Sequence, residues 1–245
     1  MGKEIVINLI YIAILLPFIL LVVDRTQPKW KKNTVLVFSY FFIYKIALLT
    51  PSYISWMQTD NLNWNWLGKL LAILFSMLFY YKFKHDFEQE LYINFNPQKK
   101  YLKSNIIILL LISAIAILEG ILFYNQQWDT ETLLFQATLP GIDEEIAYRG
   151  IILGLFSTFM QKKLLFGKVV INTPSIWIVG ILFGLIHSLQ FDKEWHLAFN
   201  LLYFVKTFIL GTLWSYMTIK TKSILLPIIS HNLSNTLANL IGMIK

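Results

Sequence analysis

The sequence predicts an all-α fold, a polytopic integral membrane helix bundle with about eight transmembrane helices. Of its 245 residues, 56% are hydrophobic and only 14% are charged, whereas a soluble domain carries about 25% charged residues. The mean hydropathy is +0.59. The apolar residues also form runs close to the roughly 20 residues that cross a bilayer. Finally, Lys and Arg concentrate in alternate connections between these runs, as they do in multi-span membrane proteins.

Eight apolar runs are predicted to form these helices, and together they make a single membrane domain, 1–245. The runs are 5–23, 34–49, 66–83, 104–124, 144–160, 174–189, 196–219 and 223–244. The first run follows Lys3 in the manner of a secretory signal peptide. It ends in Asp24-Arg25 rather than in small residues, so we interpret it as a retained helix.

The charges of the connections alternate along the chain. Basic residues concentrate in segments 24–33, 82–103 and 161–172, whereas segments 50–65 and 125–143 contain no Lys or Arg. Because basic loops stay on the cytoplasmic side, this pattern predicts a multi-pass protein of the cell membrane with the three basic segments in the cytoplasm. The net charge of +7 then reflects loop charge rather than an acidic partner. The composition excludes a nucleic-acid binder, a soluble enzyme and a disordered chain.

The chain has no cysteine, which excludes disulfides, thiol nucleophiles and Cys-ligated zinc. Chemistry must therefore come from carboxylates, histidines, hydroxyls and amides. Ionisable groups inside a bilayer are unfavourable by several kcal/mol on insertion scales. Each such group within an apolar run is therefore a candidate functional residue.

The first candidate group is Glu144, Glu145 and Arg149, at the start of the run 144–160. Glu145 and Arg149 are spaced i,i+4, so they share one helix face and can form a salt bridge. Glu144 points about 100° away and lacks that partner, which leaves its carboxylate available as a base. The alternative is that Asp143, Glu144 and Glu145 only complement the positive end of a helix dipole.

Two further groups contain histidine. His187 lies near the end of the run 174–189, and His231 and Asn235 lie one turn apart within the run 223–244. A buried His and Asn on one face of a membrane helix need hydrogen-bonding partners. The alternatives are an interfacial histidine for His187 and a polar clasp between helices for His231 and Asn235.

Other residues indicate contacts between helices. The pairs Gly150/Gly154 and Gly180/Gly184 have the spacing that lets helices approach closely in lipid. Three more charged residues lie well inside apolar runs: Lys45, Glu119 and Lys206. We predict that Glu119 pairs with one of the two lysines.

The three polar motifs occur as Glu-Glu-x-x-x-Arg, then Phe-x-x-x-His, then His-x-x-x-Asn. In this order they resemble the signature of the CAAX-protease and bacteriocin-processing (CPBP, or Abi) family, which includes the type II CAAX prenyl endopeptidases. The resemblance covers a catalytic core of about 139–239, to which residues 1–125 add N-terminal spans.

The resemblance implies an intramembrane endopeptidase. By analogy with the family, Glu144 and His187 activate the attacking water, and His231 and Asn235 stabilise the oxyanion. Glu145 and Arg149 hold the site in shape. Peptide hydrolysis indeed needs a base and oxyanion donors.

A metal site is the alternative mechanism. Glu144, His187 and His231 would then be zinc ligands. We favour a mechanism without metal or other cofactor, because Asn235 is a poor zinc ligand and a good oxyanion donor. The sequence also lacks the H-E-x-x-H helix of zincins.

The leading functional hypothesis is therefore an endopeptidase whose partners are the lipid bilayer and a peptide or membrane-protein substrate, with no nucleic acid. The alternative is a non-catalytic immunity or scaffold protein that binds a peptide or another membrane protein. A transporter is disfavoured because the sequence shows neither an inverted repeat nor a pair of Gly/Pro-broken helices.

Overall fold

Long apolar helices form most of the computed structural model, which describes residues 2–58, 62–88 and 90–245. The helices are α1 (Gly2–Val22), α2 (Trp30–Tyr53), α3 (Trp66–Phe83), α4 (Leu102–Phe123), α5 (Thr130–Glu144), α6 (Leu153–Phe159), α7 (Pro174–Ser188), α8 (Leu201–Thr221) and α9 (Leu225–Ile244). A π-helical segment, Glu145–Ile152, joins α5 to α6 without a break. The described residues thus contain eight helical rods, and the predicted all-α class is confirmed.

Short elements connect the rods. Single 3-10 turns occupy Ser55–Met57, Lys84–Asp86 and Lys99–Tyr101. Strands β1 (Lys163–Phe166) and β2 (Val169–Asn172) form one antiparallel hairpin. Strands β3 (Leu189–Phe191) and β4 (Leu197–Phe199) form another. Residues 59–61 of the predicted neutral loop 50–65 lie outside the described residues, as does residue 89 of the basic segment 82–103.

Four helices of the described chain are long and apolar enough to cross a membrane: Gly2–Val22, Trp30–Tyr53, Trp66–Asp86 and Lys99–Phe123. The helix Pro174–Ser188 is apolar but shorter. The four long apolar helices indicate that the protein is a membrane protein.

The fifth rod begins earlier than the sequence predicts. Residues 130–143 were expected to form a loop before a helix starting at Glu144, but α5 already begins at Thr130. The Asp129 side chain caps it by accepting a hydrogen bond from the Glu131 N–H at 3.0 Å. Glu144 and Glu145 consequently lie in the middle of a continuous rod. The interpretation of the acidic triplet as a complement to a helix N-terminus is therefore wrong.

The seventh rod begins later than predicted. The run 196–219 was expected to start at His196, whereas α8 starts at Leu201. Residues 197–199 pair instead with Leu189–Phe191, which directly follow α7. Asn200 ends the hairpin and caps α8, since its side chain accepts a hydrogen bond from the Tyr203 N–H at 3.0 Å.

The two glycine pairs have different surroundings. A Cβ on Gly184 would lie 2.8 Å from the Phe204 ring of α8, so this pair allows α7 and α8 to pack closely, as predicted. A Cβ on Gly150 would instead meet Ile93, and one on Gly154 would meet Phe87. Both neighbours belong to the connection between α3 and α4. The expected helix–helix approach is therefore found at Gly180/Gly184 and not at Gly150/Gly154.

The basic segments meet at one end of the bundle, which we call the basic end. Lys32 of segment 24–33 lies 2.6 Å from Asp86. Glu90 bonds Lys162 at 3.2 Å and Lys222 at 2.7 Å. Burial raises the pKa of Glu90, but the Lys222 hydrogen bond and the nearby charges outweigh burial, so this pKa is lowered. The acidic residues thus neutralise part of the charge at this end.

The connections without Lys or Arg meet at the opposite end, which we call the neutral end. Glu131 accepts hydrogen bonds from the backbone of Asn63 and Trp64. The first turn of α1 also reaches this end, where Lys3 donates to the backbone oxygen of Asp192 at 2.7 Å. The alternation of loop charge in the sequence thus corresponds to two ends of the bundle. Which end faces the cytoplasm stays a prediction.

Candidate active site

Glu144 and His187 face each other between α5 and α7. Glu144 Oε2 lies 3.8 Å from His187 Nε2, and the two side chains are 15% and 25% exposed. His187 Nδ1 lies 2.8 Å from the Phe183 backbone oxygen. A carbonyl can only accept, so Nδ1 carries a proton, and in the neutral ring Nε2 is then an acceptor. Glu144 Oε2 is buried and has no hydrogen-bond partner in the described part of the chain, so it faces the neutral ring as one acceptor opposite another.

Glu145 and Arg149 form the salt bridge that their spacing predicts. Arg149 Nη1 donates to Glu145 Oε1 at 3.0 Å, and both side chains are fully buried. Arg149 also donates to the Gly211 backbone oxygen of α8 at 3.2 Å. Its guanidinium lies 4.4 Å from the ring centroid of Phe183, within cation–π range. Arg149 therefore joins the π-helical segment to α7 and α8.

His231 approaches the same carboxylate from α9. Its Nδ1 lies 2.8 Å from Glu145 Oε1, and because an ionised carboxylate only accepts, Nδ1–H is the donor. The imidazole stacks on Trp214 with ring centroids 4.2 Å apart. The Trp214 indole N–H in turn donates to Ser230 Oγ at 3.0 Å. The ring orientation of His231 is thus held on both sides.

Asn235 has a different partner. Its Nδ2 donates to Gln136 Oε1 at 2.9 Å, and Gln136 lies about 12 Å before Glu144 along the helix axis at 1.5 Å per residue. Within the described residues, no hydrogen bond or ion pair joins Asn235 to Glu144, His187 or His231. The structure therefore brings together Glu144 with His187, and Glu145 with Arg149 and His231. It leaves Asn235 one turn away on α9, beside α5.

Asn232 of α9 has a packing role that the sequence analysis did not identify. Its Oδ1 accepts from the Gly141 N–H at 2.7 Å, and its Nδ2 donates to the Thr138 oxygen at 2.8 Å. Pro140 lies between these two positions and lacks an N–H to continue the helix ladder. Asn232 therefore supplies hydrogen bonds to α5 where the proline interrupts it, and so fixes α9 beside Glu144.

Lys69 is a site residue that the sequence analysis missed. Its Nζ lies 2.7 Å from Glu144 Oε1 and 2.8 Å from Asp143 Oδ2. The Tyr44 hydroxyl donates to the same Asp143 oxygen at 2.8 Å. Glu144 is thus ion-paired, which corrects the expectation of a carboxylate with no charged partner. The available signal was a lysine one turn inside the apolar run 66–83.

The other charged residues in the apolar runs are partly accounted for. Lys206 of α8 is ion-paired with Glu119 of α4, as predicted for Glu119. Lys45 of α2 is half-buried. It makes no hydrogen bond or ion pair with the residues that the structure describes.

Residues 126–237 match the family model of the Type II CAAX prenyl endopeptidase Rce1-like proteins. Residues 126–237 are thus similar to Rce1-like proteins, and we call them the Rce1-like segment. The resemblance carried by the three motifs is thereby confirmed, and the matched residues include Glu144, His187, His231 and Asn235. No curated protein and no solved structure matches the chain.

The match to this family supports activity as a CAAX protease-type intramembrane endopeptidase. Such an activity implies proteolysis of a peptide or protein substrate in a membrane. The Rce1-like segment begins just before α5 and ends within α9. Tyr44 and Lys69 therefore reach its carboxylates from α2 and α3, outside the matched residues.

The Rce1-like site does not fit a metal ion in this arrangement. Among the described residues, no three His, Asp or Glu side chains gather in a way that could hold one. We therefore derive no step through a metal.

Proposed function

We propose that the chain is a multi-pass intramembrane glutamic endopeptidase of the cell membrane, which hydrolyses a peptide bond in a membrane-associated peptide or protein. One observation carries the proposal. A buried carboxylate oxygen of Glu144, unpartnered among the described residues, and an imidazole nitrogen of His187 face each other 3.8 Å apart inside an otherwise apolar bundle. The Rce1-like match supports the same class of reaction.

The proposed first step is activation of water between Glu144 and His187. A water in the gap donates one O–H to Glu144 Oε2 and the other to His187 Nε2. Glu144 takes one proton as the water oxygen attacks the peptide carbonyl carbon, which gives a tetrahedral oxyanion. The same proton then passes to the leaving amine as the C–N bond breaks. The carboxylate and the imidazole end the cycle in their starting states.

The oxyanion is proposed to be stabilised from α9. Because Nδ1–H of His231 is committed to Glu145, His231 can donate to the oxyanion from Nε2 only when both ring nitrogens carry a proton. Asn235 keeps a second amide hydrogen after donating one to Gln136. Glu145 and Arg149 act by orienting His231 and do not themselves touch the substrate.

The decisive test is comparative peptidomics of membranes that contain the wild-type chain, Glu144→Gln or Glu119→Gln. Glu119 is the matched control, because it is also a carboxylate paired with a lysine inside the bundle. We expect cleavage products with the wild type and with Glu119→Gln, and none with Glu144→Gln at equal yield. Identical peptide patterns for the wild type and Glu144→Gln would instead favour a non-catalytic binding protein.

The absence of a metal requirement is proposed separately. Removal of one oxyanion donor lowers the rate by about 10²–10³-fold in a well-studied hydrolase, so we expect Asn235→Ala to lower turnover comparably with little effect on substrate binding. Chelators should leave the rate unchanged at fixed detergent and pH. Stoichiometric zinc in the purified protein, with chelator inhibition that added zinc reverses, would assign Glu144, His187 and His231 as ligands.

A further inference from the structure

A buried polar cluster lies beside the proposed water site and consists of Tyr44 from α2, Lys69 from α3 and Asp143 from α5. Asp143 is fully buried, and its Oδ2 accepts from both the Tyr44 hydroxyl and Lys69 Nζ at 2.8 Å. Two donors on one oxygen restrict where the ammonium can lie. Tyr44 and Asp143 thus fix the position of Lys69, whose side chain is only 11% exposed.

The same ammonium holds one oxygen of Glu144. Lys69 Nζ lies 2.7 Å from Oε1, a charge-assisted hydrogen bond. Rotation about the terminal carboxylate bond is otherwise broad and roughly two-fold, so nothing intrinsic to the side chain directs Oε2 toward His187. With Oε1 engaged by Lys69, Oε2 is the oxygen that faces Nε2 of His187 across 3.8 Å.

We infer that Lys69 is a positioning residue of the proposed active site, supplied by α3 from outside the Rce1-like segment. It orients the Glu144 carboxylate toward the water site and neutralises charge where Asp143 and Glu144 adjoin. The inference rests on the proposed function, because it assigns Lys69 a task only if Glu144 is the base.

The chain contains a matched control for this lysine. Lys206 is paired with Glu119, joins α8 to α4, and has no hydrogen bond or ion pair with Asp143 or Glu144. Its pair is also more exposed, at 35% and 22%. Lys206→Met therefore removes a lysine–glutamate pair from the bundle without changing the contacts of Glu144.

The experiment measures steady-state cleavage of a synthetic peptide that spans a site cut in wild-type membranes. The full chain is compared with Lys69→Met, Lys69→Arg, Lys206→Met and Glu144→Gln. Misplacement of a reacting group by about 1 Å can lower a rate 10²-fold, so we expect Lys69→Met to lower kcat by about that factor with KM little changed. Lys69→Arg should restore part of kcat, because guanidinium can donate to both carboxylates. Lys206→Met should keep the wild-type kcat.

Each outcome separates the two proposals. If Glu144→Gln cleaves like the wild type, the proposed function itself fails. If Glu144→Gln is inactive but folded Lys69→Met keeps the wild-type kcat, only the positioning inference fails. A raised KM with unchanged kcat would also overturn it, since Lys69 would then bind substrate. If Lys69→Met does not fold, Lys69→Gln replaces it, with the same expected fall in kcat.

Discussion

At the scale of single residues, the exposure of the charged groups separates two kinds of role. Glu145 and Arg149 are fully buried and ion-paired with each other, whereas the side chains of Glu144 and His187 are 15% and 25% exposed. A buried pair contributes little net stability by itself, but removal of one partner leaves an uncompensated charge. We therefore expect the first pair to control folding and the second to control chemistry.

Arg149→Met is predicted to lower the free energy of unfolding by about 3–5 kcal/mol, because it leaves Glu145 buried without its counter-charge. Chemical denaturation in detergent measures this change. Lys162→Met is the control: Lys162 pairs with Glu90 but its side chain is 73% exposed, so a loss of about 0–1 kcal/mol is expected. Equal losses in the two variants would contradict the assignment of Arg149 as the structural cation.

At the scale of elements, the close contact between α7 and α8 places His187. Gly184 lies one turn before His187, with the Phe204 ring of α8 directly against it. Gly211 of α8 lies against Phe183 in the same way, since its Cβ would meet the Phe183 side chain at 2.9 Å. The small residues thus let the two helices approach closely. The distance between His187 and α5 depends on this packing.

Gly184→Val is predicted to destabilise the protein by about 1–3 kcal/mol, since overpacking forces neighbouring groups to shift. It should also lower the cleavage rate, because His187 moves with α7. Thermal unfolding and peptide cleavage, measured on the same sample, check both effects. The control is Gly2→Ala, whose Cβ would lie at an ordinary 3.6 Å from Trp195. If Gly184→Val retained the wild-type stability and cleavage rate, close packing of α7 on α8 at Gly184 would not be required.

At the scale of the whole molecule, the two ends differ in charge, and the site lies nearer the neutral end. Lys69 lies one turn after the start of α3, which follows the neutral connection 54–65. His187 lies one residue before the end of α7, beside the hairpin at the same end. If basic loops face the cytoplasm, the proposed site opens toward the outer half of the membrane.

Cysteine labelling tests this orientation without interference, because the native chain contains no cysteine. Lys168→Cys marks the turn between β1 and β2 at the basic end, and Gln127→Cys marks the exposed connection before α5 at the neutral end. We expect an impermeant thiol reagent applied to intact cells to label Gln127→Cys alone, and Lys168→Cys to react only after permeabilisation. The reverse pattern would place the basic end outside.

Much of the site follows from local sequence. The salt bridge of Glu145 with Arg149 was predictable because residues spaced i,i+4 lie next to each other on a helix. The pairing of Glu119 was predictable because a charged group in lipid needs a partner. The starts of α5 and α8 were not predictable from hydropathy. The first turn of α5 is polar and resembles a loop in composition, and strand β4 before α8 is apolar and resembles part of a helix. The capping contacts of Asp129 and Asn200 mark where α5 and α8 begin.

The sequence by itself determined the all-α membrane class, the alternation of loop charge and the identity of the polar motifs, because hydropathy and residue spacing are local properties. Only the tertiary structure decided which partners those polar groups have. Lys69 and Glu144 are 75 positions apart and meet because α3 packs on α5. Asn235 lies beside Gln136 because α9 packs along α5. Such contacts depend on how helices pack against one another, which no local pattern encodes.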